Sequence, residues 1–416
     1  MKRLIIISLL CASTSAGYCQ TAVPSGRPIT LDETFKLALA KSETLAGQGK
    51  GVIQLEAFER QLKSLFRPTL SLGASETLAD KQPGRAQSSV SMDYSIFDGM
   101  RDYIAAKAAG LNTEAARLQL ERAGQVLYLN AALAYINLTN VRQELSVRQE
   151  QLDVSNTRIK QLLEWVNIGR SRESELFAAR AQLALDEAAR QDAMSRENLA
   201  QLELRFLTGL EENLAPELIP LPEHRSIEPY LVRAQKRFDV QSARKALEAA
   251  KLNAEIQAKL VWPSLSLGAD YYLKRPSPDQ DSKWNTALTL QIPLYTGGFA
   301  GAAVDQASAR EAAAGLVLKL AARQADTDVK EAYSTLEHSM AVMESLKTAL
   351  GLADENAKYQ AKDYTLGLVT NLDVLSAQNT LLQTKLQLET ARSRASLGGV
   401  QLEVAGGGPD YTAEAK

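Results

Sequence analysis

Two hydrophobic periods take turns along this chain. Over 89–96, Val90, Met92, Tyr94 and Ile96 alternate with Ser89, Ser91, Asp93 and Ser95. The pattern returns where Leu265, Leu267, Ala269 and Tyr271 alternate with Ser264, Ser266, Gly268 and Asp270. It returns again where Leu288, Leu290, Ile292 and Leu294 alternate with Ala287, Thr289, Gln291 and Pro293. A fourth segment, 70–78, is weaker because Glu76 interrupts its apolar face. A period of two predicts strands with one apolar face. Each runs about 10–12 residues, the length a tilted strand needs to cross a bilayer. Tyr94, Phe97, Trp262, Tyr271, Tyr272, Trp284 and Tyr295 gather near the strand ends, where aromatic rings suit a lipid–water boundary. Polar loops over 80–85 and 275–280 join the strands into two hairpins.

Between the strand pairs the period changes. Leu127, Ala131, Ala134, Leu138, Val141, Leu145, Leu152 and Ile159 follow steps of four, three or seven. That 3.5-residue repeat predicts helices supercoiled against partners. No proline occurs from 99 to 166, and a helix of ~68 residues reaches about 100 Å. The stretch 298–362 matches it, with Val329, Tyr333, Leu336, Met340, Met343 and Leu350 on its stripe. Shorter helices are expected at 31–65, 173–207, 230–260 and 372–404. The small side chains of Ala105-Ala106, Ala178-Ala179 and Ala312-Ala313-Ala314 favour close helix packing.

The two halves are copies. Arg67-Pro-Thr-Leu-Ser-Leu-Gly-Ala74 returns as Trp262-Pro-Ser-Leu-Ser-Leu-Gly-Ala269, Phe97-Asp-Gly99 as Tyr295-Thr-Gly297, and Trp165-Val-Asn-Ile-Gly169 as Tyr364-Thr-Leu-Gly367. Three landmarks in one order at nearly one offset mark a duplication. The expected organisation is a signal peptide at 1–22 and a first repeat at 23–210, with strands 68–79 and 87–98 and a long helix 99–166. A linker at 211–229 follows, rich in proline. The second repeat spans 230–405, with strands 262–273 and 284–295 and a long helix 298–362, and a mobile tail occupies 406–416.

The signal assignment rests on Lys2 and Arg3, an apolar core over 4–12 and small residues over 13–22. Cleavage after Gly17, Cys19 or Ala22 is open. Cys11 and Cys19 are the only cysteines, so the exported chain holds at most one thiol. Cys19 is a candidate lipidated terminus, though the bulky Tyr18 stands where such signals need a small residue. A net charge of −2 gives no field to gather nucleic acid. Beyond the signal no apolar run approaches the ~18 residues of a membrane helix. Four strands cannot close a membrane barrel, whose smallest members have ~8, and an open edge in lipid is costly. Membrane strands here therefore require a barrel shared between chains, and three chains would give 12. A soluble sandwich explains the alternation equally well.

Helix, strand pair, long helix, turn and helix, done twice, resembles the outer membrane efflux protein family, the TolC-like channels. Leu31-Asp-Glu-Thr-Phe-Lys-Leu-Ala-Leu39 is similar to that family's opening helix. Tyr364-Thr-Leu-Gly367, followed by Leu372-Asp373-Val-Leu375, is similar to its second tip. The likeness covers nearly the whole exported chain. It implies a mainly α protein with membrane β: a homotrimer with a 12-stranded β-barrel in outer-membrane lipid on a 12-helix periplasmic tunnel. It further implies a periplasmic adaptor at the tunnel end, an inner-membrane transporter behind the adaptor, and no catalysis or cofactor.

In that frame Val90, Met92, Tyr94, Ile96, Leu265, Leu267, Leu288, Leu290, Ile292 and Leu294 form the barrel's lipid face. Gly169 and Gly367 suit helix-ending turns on structural grounds alone. By resemblance Ile168, Gly169, Leu366, Gly367 and Leu368 are an adaptor-docking surface. Tyr364 and Asp373 would form the pore constriction, Asp373 as a threefold ring of carboxylates that favours cations. Thr370-x-x-Asp373 fits a capping box equally well. Val369 stands where the family often has an arginine, and Ser376 where a second acid would sit, which puts the usual charged lock in doubt. Tyr364 is expected to close the tip with Arg170, Arg172, Glu173 or Glu175. His224 and His338 stand alone, without metal-ligand spacing or a nucleophile to activate. The leading function is a passive duct for drugs, metal ions or metabolites. Protein secretion through the same fold, and a soluble coiled-coil scaffold, are the alternatives.

Overall fold

A computed structural model describes residues 26–79, 82–223, 226–275 and 281–408. The expected signal at 1–22, His224 and most of the polar loops lie outside the described residues. Two helices dominate: α3 (Arg101–Asn167) and α7 (Phe299–Thr365), of 67 residues each. On α7 the buried positions Ala325, Val329, Ala332, Leu336, Ser339 and Met343 alternate steps of four and three. That seam packs against α8 (Asn371–Ala405). Tyr333 and Met340 flank it, half-buried. On α3, Ala131, Ala134, Leu138, Val141 and Leu152 are buried as the stripe predicts, while Leu127, Leu145 and Ile159 are half-buried. Small residues set the helix spacing. A Cβ on Gly398 of α8 would lie 3.2 Å from the Leu336 Cα of α7.

The remaining helices complete a wall four helices wide. Near the strands the order is α2 (Glu43–Ser64), α3, α6 (Phe238–Ala258), α7. Toward the turns it is α4 (Glu173–Thr208), α3, α8, α7. α1 (Leu31–Lys41) precedes α2, and Ser42 ends one and caps the other. No helix among the described residues is long and apolar enough to cross a membrane.

The interval 211–229 is more ordered than a linker. β4 (Leu214–Pro216) pairs in parallel with β1 (Arg27–Ile29), and the short α5 (Glu228–Ala234) follows. Both chemical ends of Leu214 are held by the Gln201 amide, at 3.1 and 2.8 Å. The buried Tyr135 hydroxyl lies 2.8 Å from the Ile29 carbonyl and 2.9 Å from that of Glu217. Its burial pushes the phenol up to about 12. The start of the expected tail is also fastened. The Gln125 amide donates to the Gly407 carbonyl at 2.6 Å, and Arg122 donates to that of Val404 at 3.0 Å. Arg237, 2% exposed, joins Asp239 and Asp328 at 2.8 Å each and donates to the Ala405 carbonyl. These bonds satisfy the carbonyls that a helix end leaves open. Residues 409–416 lie outside the described set.

The other four strands form one antiparallel sheet in the order β2 (Thr69–Ala79), β3 (Gln82–Phe97), β5 (Ser264–Lys274), β6 (Trp284–Gln291). Three features differ from expectation. β3 begins at Gln82 rather than 87. β6 ends at Gln291, so Ile292 and Leu294 lie beyond the ladder; Pro293 has no N–H to continue it. Ile96 falls in a bulge, because Ser95 pairs with Ser266 while Phe97, not Ile96, pairs with Leu265.

Candidate functional site: the sheet faces and the hairpin tips

Register decides which side chains share a face of the sheet, because directly paired residues point the same way. Leu70, Met92 and Ala269 form one row, Leu72, Val90, Tyr271 and Trp284 the next, and Tyr94, Leu267 and Leu288 another, with Leu265 beside Leu290. This face is therefore mainly apolar, interrupted by Thr286 beside Ala269 and, toward the loops, by Ser88 and Glu76. The opposite face carries Ser71, Ser91, Asp270 and Asn285 in one row and Ser95, Ser266 and Thr289 in another. Among the described residues nothing covers the apolar rows: Leu70 and Leu72 are each 72% exposed and Leu288 65%. Among the described residues the outer edges of β2 and β6 have no partner strand.

At the far end of the wall the long helices stop in the same way. The Arg170 N–H donates to the Trp165 carbonyl at 2.8 Å, and that of Gly169 to Val166 at 3.0 Å. In the second repeat Leu368 donates to Asp363 and Gly367 to Tyr364, both at 3.0 Å. These are paired Schellman turns, with glycine in the left-handed position at φ +73° and +78°. Ile168, Leu366, Leu368 and Leu372 project from them, all exposed.

Behind the turns, side chains tie the two hairpins together. Tyr364 stacks on Trp165 with ring centroids 5.3 Å apart, and its hydroxyl donates to Glu175 at 2.5 Å. Ser171 donates to the same carboxylate oxygen at 2.7 Å. Burial alone would raise the Glu175 carboxyl, but these hydroxyls and the nearby guanidinium groups of Arg172 and Arg158 hold it below its ordinary value. Burial and the bond to Glu175 raise the Tyr364 phenol. Arg170 donates to the Thr365 carbonyl and lies over the Trp165 ring. Of the four expected partners of Tyr364, then, Glu175 takes the hydroxyl and Arg170 reaches the neighbouring backbone.

The sequence reading missed the centre of this network. Arg158, only 5% exposed, sits 4.2 Å from the Tyr364 ring centroid and donates to the Asn371 side chain at 3.0 Å. Asn371, itself buried, opens α8 and donates to the Glu175 carbonyl at 3.4 Å. The signal was present: Arg158 stands beside the apolar stripe, one turn before the buried Leu162 and two before Trp165. A cation in that position needs an internal partner. Asp373 is exposed and completes the capping box. Its carboxylate accepts from the Thr370 N–H at 2.8 Å and hydroxyl at 2.6 Å, which lower its pKa.

A family model described as outer membrane efflux protein matches residues 232–408. Outer membrane protein TolC of Escherichia coli (strain K12) is 26% identical over 373 residues, covering 81% of this chain and 74% of that protein. Outer membrane efflux protein BepC of Brucella suis biovar 1 is 22% identical over 343 residues, covering 79% and 74%. Among solved structures, the outer membrane protein VceC of Vibrio cholerae superimposes with a TM-score of 0.79 at 22% identity, over 91% of this chain and 96% of that one. The fold is that of outer-membrane channel proteins, and the similar sequences are outer-membrane proteins. The second repeat thus matches the outer membrane efflux protein model, and over most of its length the chain is similar to TolC-like proteins of the Gram-negative outer membrane.

Proposed function

We propose that three copies of this chain close one 12-stranded barrel in the outer membrane, continued by a 12-helix periplasmic tunnel, and act as a passive exit duct for small molecules. The sheet carries this reading. It has one exposed apolar face, one polar face and two unpaired edges, and in hydrocarbon such edges find partners or cost several kcal/mol per open group. Strand addition between chains joins β2 of one copy to β6 of the next. The apolar rows then face lipid, and the polar rows line water. Each repeat supplies one hairpin to the barrel and two helix positions to the tunnel wall.

The tip is the gate and the docking end. Exposed Ile168, Leu366 and Leu368, set on glycine turns, suit close apolar docking by a periplasmic adaptor, which couples the duct to an inner-membrane transporter. Tyr364 acts from inside the chain, as a latch between the two hairpins through Glu175 and Arg158. Asp373 spends one carboxylate oxygen on its cap and leaves the other for a ring of three at the constriction. Extraction and native mass of the full-length protein test the assembly. A detergent-dependent trimer in the outer-membrane fraction is expected. A soluble periplasmic monomer or dimer would overturn the reading in favour of a scaffold.

A further inference from the structure

On the polar face of the sheet, the strand pairing brings two carboxylates into adjacent rows. Asp93 pairs with Gly268, which pairs with Ala287; Ser91 pairs with Asp270, which pairs with Asn285. Asp93 leans across its glycine partner, since a Cβ there would lie 3.9 Å from the carboxylate Oδ1. The Ser91 hydroxyl donates to Asp270 at 2.6 Å. Between the rows of Ser264 and Tyr272 every other residue on this face is uncharged. Arg85 stands further along, at the loop end opposite Thr77.

The height of these acids matters. The Asp93 row lies between the row of Leu267 and that of Ala269, in the middle of the apolar band on the other face. An ionised carboxylate at that depth is expensive unless it meets water or a partner, and such residues mark ion and substrate paths. No basic side chain shares their rows. Gly268 has no side chain to displace the Asp93 carboxylate, and Asp93 is exposed.

We infer that Asp93 and Asp270 form a charge filter inside the barrel, separate from the tip, which favours cations and positively charged small molecules over anions of similar size. The inference rests on the shared-barrel reading, under which three copies give a belt of six carboxylates at mid-membrane. Both acids act at a distance through the water of the lumen, so their reach follows the screening length: ~30 Å at 0.01 M salt and ~3 Å at 1 M. The filter is strong in dilute salt and fades in concentrated salt.

The test is the reversal potential of the full-length protein in planar bilayers under a KCl gradient, at low and at high mean salt. Wild type is compared with D93N/D270N, D93K/D270K and D373N. Asparagine keeps an acceptor for Ser91, and native mass checks that each variant still assembles. At low salt the potassium-to-chloride permeability ratio should fall roughly twofold or more in D93N/D270N and turn toward chloride in D93K/D270K, with the differences shrinking at high salt. Selectivity unchanged in both double variants, with only D373N altering it, would overturn the filter while leaving the duct intact. A protein that forms no conducting pore at all would overturn the barrel and the filter with it.

Discussion

The two long helices are equal in length and unequal in surroundings. α3 has neighbours on both sides, α2 and α4 on one and α6 and α8 on the other, and nineteen of its residues are buried. α7 has α6 and α8 on one side only, and nine are buried. Its open side shows Leu316, Val317, Leu320, Leu352 and Tyr359 to solvent. Duplication gave both repeats the same rod, but only the first is enclosed within one chain. The second is an edge, as β6 is the edge of the sheet. An edge with apolar side chains is incomplete by itself, and under the proposed trimer a neighbouring copy would complete it by bringing its α2 and α4 against α7.

The sharpest way to break that comparison is to charge the open side. Leu316→Glu, Val317→Glu and Leu320→Glu together should abolish the trimer on native mass measurement, since burying each apolar side chain contributes about 1.5–3 kcal/mol. A trimer that survives would place the neighbour elsewhere. Truncation sharpens the contrast from the other direction. Leu138→Ala, at a fully buried site on α3, should cost about 2–5 kcal/mol, read as a lowered denaturation midpoint. Leu352→Ala on exposed α7 should cost little in the isolated chain.

The tips offer a smaller test. Gly169→Ala and Gly367→Ala each force a Cβ into the left-handed region and should cost about 1–2 kcal/mol, with similar losses because the two turns are equivalent. Tyr364→Phe removes the bond to Glu175 and should raise the frequency of channel openings in bilayer recordings. Openings unchanged in that variant would assign the latch to Arg158 and Asn371 instead. The smallest effect concerns pH. Folding raises the Tyr135 phenol from 10 to about 12, so the stabilisation is complete below pH 10 and lost as pH rises through about 12. Alkaline denaturation curves of Tyr135→Phe should lack that component.

Much of the architecture was legible because it rests on period. Alternation separated the strand faces, and the 3.5-residue stripe marked the coiled-coil seams before any contact was known. The exceptions are local and physical. Ile96 broke the alternation because a bulge absorbs one residue, and Ile292 and Leu294 kept the pattern past the point where Pro293 ends hydrogen bonding. The site was less legible than the fold. Arg158, Trp165, Glu175 and Asn371 come from three different helices, and their meeting depends on how two hairpins cross. Tyr364 looked like a pore residue from its neighbours in sequence. Its heptad position continues the Met343 and Ala357 seam of α7, and the half-buried ring meets Trp165 within the chain.

The central claim is that one chain is a third of a closed barrel, and it is tested most directly by cross-linking the two open edges. Within one chain β2 and β6 are separated by two strands, roughly 14 Å, too far for a disulfide. Cysteines placed in turn at Thr69, Ser71 and Gly73 on β2, each with Asn285→Cys on β6, scan the stagger that closure demands. Oxidation in outer membranes should give, for one of these pairs, a denaturation-resistant ladder of dimers and trimers that stops there. Monomers for every pair, or a ladder that runs past three, would contradict the account.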